Sequence, residues 1–363
     1  MKHSFLIFFI LNLLDITAQD FDSLVGVSEK MANDTSRVTL FYSEGFTHRN
    51  NDIQYSYDCA KEAEDFAKKS GLPFYMAKAN NLLGILYYRK GDLTTALNYH
   101  KKALQQRLRI NDKRGVAQSQ VNLGNIYSEL ARYKPAETAY LLALAINNEL
   151  QLQQQVDNCL LNLGVLNTEL KNTTAAENYF NQAFKNAEKR FDYDLQAQCL
   201  NNLAVINIGK ENYDAAIANS INSLKLKNLM DNEMEMADSY LNLAVAYIQK
   251  KEALPALQNL VIADSIILKY NYLAAKIEAL KVFAQYYQLE KNYEKAFEHL
   301  QKYYYLKDSL SQATKEIEAF GFIETGLKKL KPAEAIFVFP WLYFNILLFL
   351  IIGSAVFILK HKR

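Results

Sequence analysis

The sequence predicts an all-α protein: a right-handed solenoid of stacked helical hairpins, followed by one C-terminal transmembrane helix. Three observations predict it. Small and large residues recur together with a period of 40. The apolar positions inside each period have helical spacing. An uncharged run of 24 residues, Ile336 to Leu359, lies near the end of the chain. Composition agrees, since only 12 Gly and 5 Pro in 363 residues are too few turn formers for a sandwich or barrel. The charges balance, 41 basic against 39 acidic, and no cluster of one sign provides the basic face that nucleic acid requires.

The N-terminus reads as an export signal. Met1-Lys2-His3 is basic, Ser4 to Leu14 is apolar but for Asn12, and small Thr17 and Ala18 follow. The apolar stretch is too short to span a bilayer, so residues 1–18 are expected to be a signal peptide, with a retained anchor as the alternative. Residues 19–76 form a divergent helical repeat or cap, in which Ala63 stands 40 residues before Ala103.

Residues 77–310 hold six repeats. Leu83-Gly84, Leu123-Gly124, Leu163-Gly164, Leu203-Ala204, Leu243-Ala244 and Phe283-Ala284 are in register. So are Ala96, Ala136, Ala176, Ala216, Ala256 and Ala296, and then Ala103, Ala143, Ala183, Ser223 and Ala263, with Tyr303 as the exception. Small residues mark close helix–helix approach. Each hairpin leaves an apolar face that only its neighbours can cover, so the units stack. Pro135 and Pro255 precede the recurrent Ala in their units, at the start of a second helix, where a missing N–H costs little.

These residues resemble the tetratricopeptide repeat. The family's unit is about 34 residues; the period of 40 implies longer second helices here. The run Tyr303 to Leu310 is similar to the point where bacterial repeat-bearing membrane sensors enter a linker helix, here 311–335. The membrane helix, 336–359, follows, with Phe339, Trp341, Tyr343 and Phe344 as an interfacial belt. The tail, 360–363, is basic. Lysines flank the span on both sides, so the signal peptide sets the orientation. The expected location is the inner membrane, single-pass, with the repeats exported to the periplasmic side and the C-terminus cytoplasmic. The resemblance implies sensing, but this sequence stops short of the sensors' output domain.

No chemistry is legible. The five His are scattered, no phosphate loop or nucleophile elbow appears, and no cofactor or metal is expected. Cys59, Cys159 and Cys199 read as buried thiols; Cys159 and Cys199 hold equivalent positions of adjacent repeats, which lie too far apart to bridge. Asn33 and Asn172 open Asn-x-Thr triplets that matter only in a glycosylating host.

The family's first helices line a groove, and asparagine recurs there. Asn122, Asn162, Asn202 and Asn242 share one place in four units, with Asn81, Asn125, Asn158 and Asn201 beside them. An amide offers donor and acceptor together, so a row can pair with an extended peptide backbone. Val165, Val205 and Val245 would form apolar pockets between the rungs. The same asparagines would equally serve packing. The groove lacks the Lys/Arg set with which such repeats clamp a C-terminal carboxylate. The expected partner is therefore a protein or extended peptide segment, and the expected function a membrane-anchored, non-enzymatic scaffold. The alternative is the sensor half of a split system, passing its signal to a separate cytoplasmic signalling protein.

Overall fold

The computed structural model describes residues 21–49 and 51–308. The expected signal peptide, linker helix, membrane helix and tail lie outside the described residues. Among the described residues no helix is long and apolar enough to cross a membrane.

The described chain is a run of helical hairpins. Helices α1 (Phe21–Glu29), α2 (Asp34–His48) and α3 (Ile53–Ser70) come first, in the divergent region. Then follow α4 (Pro73–Arg89) and α5 (Leu93–Arg109), α6 (Lys113–Glu129) and α7 (Tyr133–Glu149), and α8 (Gln153–Glu169) and α9 (Thr173–Arg190). The array continues with α10 (Tyr193–Gly209) and α11 (Tyr213–Leu229), α12 (Glu233–Gln249) and α13 (Ala253–Tyr270), α14 (Leu273–Leu289), and α15 over 293–308. From α4 to α13 the two helices of each unit pack on each other and each second helix packs on the next unit; in the last unit α14 meets α15 through Phe283 and His299.

The period is two equal halves. From α4 to α14 the first helices are 17 residues and the second helices 17 or 18. The length beyond the family's unit is therefore divided between both helices and does not sit in the second one as the period implied.

One local device produces this spacing. From α3 to α14 a residue with positive φ ends each helix, at Gly71 and Gly91, then at Asn111, Ala131, Gln151, Lys171, Phe191, Glu211, Asp231, Lys251, Asn271 and Lys291. The N–H that follows closes back onto the last turn: Asp112 to Arg107 O at 3.0 Å, Asn172 to Asn167 O at 2.8 Å, Asn292 to Tyr287 O at 2.8 Å. Several of these donors then cap the next helix. Asp92 accepts from Thr95 N, Asp112 from Gly115 N and Asp192 from Leu195 N, at 2.9, 2.9 and 3.1 Å. One residue thus ends one helix and starts another, which leaves no room for a loop.

Packing explains the small residues. Ala96, Ala136, Ala176, Ala216 and Ala256 have no exposed surface, nor have Ala103, Ala143, Ala183, Ser223 and Ala263. A Cβ on Gly84 would lie 2.7 Å from the His100 ring, and one on Gly124 2.5 Å from the Tyr140 ring; Gly164 faces Phe180 in the same way. Where Ala204 and Ala244 replace glycine, Ser220 and Leu260 stand in the ring's place, each fully buried. Glycine admits a ring from the second helix, and alanine is matched to a side chain without one.

Candidate functional site

The first helices of neighbouring units meet along one side of the array: α8 touches α10, α10 touches α12, and α12 touches α14. Their shared face carries the asparagines, and the structure sorts them into two kinds.

At two junctions the amides are tied. Asn81 is buried and accepts from Asn122 Nδ2 at 3.0 Å, and the same nitrogen lies 3.4 Å from His100 Nδ1. Asn201 Oδ1 accepts from Asn242 Nδ2 at 2.9 Å and from Ser239 Oγ at 3.1 Å. Asn125 accepts from the Tyr140 hydroxyl at 2.8 Å. These five side chains hold helices together.

Between them the amides are open. Asn162 is half-buried and makes no side-chain hydrogen bond among the described residues; Asn158 is exposed and makes none either. Asn202 Nδ2 turns back on its own helix, to Gln198 O at 2.9 Å. The cause is the preceding unit. Where the tied rungs find Asn81 and Asn201, Asn162 and Asn202 face the register of Val121 and Leu161, which have no acceptor to offer. Val165 and Val205 beside them are 39% and 43% exposed. Val245 is half-buried, and Ile248 is buried in the core.

Each tied junction also contains a buried cation that the sequence reading missed. Arg107 donates to Gly115 O at 2.7 Å, Ser119 Oγ at 2.8 Å and Gln118 Oε1 at 2.9 Å. Lys227 donates to Glu235 O and to Ser239 Oγ at 3.2 Å, so it joins the Asn201 network. Burial lowers the pKa of both cations. The readable signal was a basic residue twelve places before a serine, in the register where other units carry Asn147, Ala187 and Ile267. A third buried charge, Asp157, is held by Arg190 and by Asn186 Nδ2 at 2.7 Å.

The titratable groups are set up for packing. Burial, with Arg107 nearby, lowers the His100 pKa to about 4, and a neutral ring is what accepting from Asn122 requires. Cys59, Cys159 and Cys199 are free and buried. Burial pushes their thiols up to about 12, 11 and 12, which makes them poor nucleophiles. Among the described residues no group of three or more His, Cys, Asp or Glu is placed to hold a metal ion.

Comparison with known proteins bears on the fold. Residues 75–149 and 158–190 match models of the tetratricopeptide repeat, so the chain carries such repeats in these stretches. The structure is similar to the apo form of RapI, with a TM-score of 0.64 and 16% identity, over 77% of this chain and 99% of that one. It is similar to a Rap protein complexed with Competence and Sporulation Factor, with a TM-score of 0.63, 18% identity and 80% of each chain covered. It is also similar to the Rap conjugation gene regulator of plasmid pLS20 in complex with the Phr* peptide, with a TM-score of 0.60, 14% identity, and 76% and 75% covered. At such identities the likeness is one of fold. No curated protein matches the chain in sequence.

Proposed function

We propose that this chain is a non-enzymatic scaffold that holds an extended protein segment along the groove of its first helices, tethered to a membrane on the exported side. The observation that carries the reading is the pair of open rungs. Asn162 and Asn202 present amides for which the preceding unit has no partner, next to exposed Val165 and Val205. Amides at intervals pair with a peptide backbone, and the valines between them receive its side chains. Rap relatives of the same fold are named in complex with the Phr* peptide and with Competence and Sporulation Factor, which supports a groove of this use. The tether rests on the uncharged run from Ile336 to Leu359 with its aromatic belt, and the exported side on the signal-like residues 1–18.

A photo-crosslinking residue at position 165 or 205, introduced in the native membrane, tests the binding side. The same residue at exposed Asn181, on the second helix α9, is the control. Capture of one protein at 165 and 205 but not at 181 is expected. Equal capture at all three, or none, contradicts groove binding. A reporter active only outside the cytoplasm, fused after Leu310, is expected to be active; an inactive fusion would reverse the topology.

A further inference from the structure

One row of the groove changes charge from unit to unit. The residues four before Leu82, Asn122, Asn162, Asn202 and Asn242 are Lys78, Gln118, Asn158, Gln198 and Asp238. The row starts with a cation, passes through amides and ends with a carboxylate. Arg114, one helical turn before Gln118, strengthens the basic end.

Both ends hold charge that the fold leaves under-compensated. The Lys78 ammonium has no carboxylate within ion-pair distance among the described residues. It rests over the rings of Phe74 and Tyr42, at 4.8 and 5.2 Å, and burial alone lowers its pKa. Arg114 is exposed and makes no ion pair among the described residues. At the other end Asp238 is half-buried and its pKa is raised, chiefly by burial, against the opposing pull of Lys227 and a 3.4 Å bond from the Tyr272 hydroxyl. The polarity ends there, because on α14 Glu278 is neutralised by Lys281 at 2.9 Å.

From this we infer that the groove is polar and takes its segment in one direction only. The segment carries acidic residues over α4 and α6, uncharged residues over α8, and basic residues over α12. This rests on the groove reading above and adds the chemistry of the occupant. From Lys78 to Asp238 is four units; at about 10 Å per packed helix the distance is about 40 Å. An extended chain rises about 3.3 Å per residue, so about 12 residues cover it. A reversed segment would set like charges against each other at both ends, which is how a groove of neutral amides acquires direction.

The probe is a phage-displayed library of random 12-residue peptides, selected on the full chain in detergent at low salt. Selected peptides are expected to carry Asp or Glu at one end and Lys or Arg at the other, always in the same order. Arg114→Glu, at an exposed position that the fold does not need, should weaken a selected peptide about tenfold, and added salt should shrink that difference. Lys78→Glu with Arg114→Glu should instead select peptides with a basic end in place of the acidic one. Selected peptides without ordered charge, or binding indifferent to Arg114→Glu, would overturn the polarity. The groove reading would still stand in that case if Asn162→Ala with Asn202→Ala weakened the same peptides. No enrichment at all would overturn both.

Discussion

The junction between α10 and α12 and the rungs on α8 and α10 are built from the same repeat, yet they use their amides in opposite ways. At the first, Asn201, Asn242, Ser239 and buried Lys227 form one connected network. At the second, Cys159 and Cys199 stand where Ser119 and Ser239 stand at the tied junctions, no buried Lys or Arg lies behind them, and Asn162 has no partner among the described residues. The difference shows that asparagine at one place in a repeat has no fixed role. Its role is set by the residue 41 positions earlier, Asn in one case and Val or Leu in the other. Polar networks fasten the array at intervals and leave the amides between them open.

The largest effect expected at a tied junction is a pH dependence. His100 titrates near 4 when folded and near 6.5 when unfolded. Below 6.5 the unfolded chain therefore takes up a proton that the folded one refuses. The stability is whole above pH 6.5 and is lost as pH falls towards 4, by on the order of 3 kcal/mol. Urea unfolding between pH 7 and pH 5 should show this slope, and His100→Phe, which copies Phe180, should flatten it. An equal slope in the variant would place the titration elsewhere.

Next in size is Asn201→Ala, which removes the Oδ1 shared by Asn242 and Ser239 and leaves Asn242 only the Asn201 carbonyl at 3.3 Å as acceptor and Ser239 only Ser223 Oγ at 3.1 Å. It should cost about 2 kcal/mol by urea unfolding. A cost under about 0.5 kcal/mol would mean that the network does not fasten the junction. Gly164→Ala, which drives a Cβ into the Phe180 ring, should cost about 1–3 kcal/mol. Phe180→Leu, as in the Ala244 and Leu260 unit, should recover most of it in the double variant. Failure of that rescue would break the glycine–ring pairing. Smaller and opposite in sign is Ser220→Ala. The Ser220 hydroxyl is buried without a hydrogen-bond partner among the described residues, so its removal should stabilise by about 1 kcal/mol.

Much of this was legible before the structure. The 40-residue period and the buried alanines follow from residue size, because close packing tolerates one size at each place; the unbridged cysteines follow from the spacing of packed helices. The equal helices were not foreseen, since the residues in positive φ are mostly Lys, Glu, Asn or Ala, not the glycine that marks such a helix end. The glycine–ring match was readable, as Gly84, Gly124 and Gly164 each stand 16 before a ring, but it needs two rows of the repeat read together. The sorting of the asparagines needed the same pairing across units. A single row of Asn122, Asn162, Asn202 and Asn242 shows only recurrence.

The most direct test of the account compares Asn162→Ala with Asn202→Ala, in one double variant, against Asn201→Ala. Each is measured by urea unfolding and by recovery of the protein captured through position 165. The account predicts that the open-rung variant unfolds within about 0.5 kcal/mol of wild type and loses the captured protein. A fall of about 2 kcal/mol in the open-rung variant, or full recovery of the captured protein, would contradict it and return these asparagines to packing.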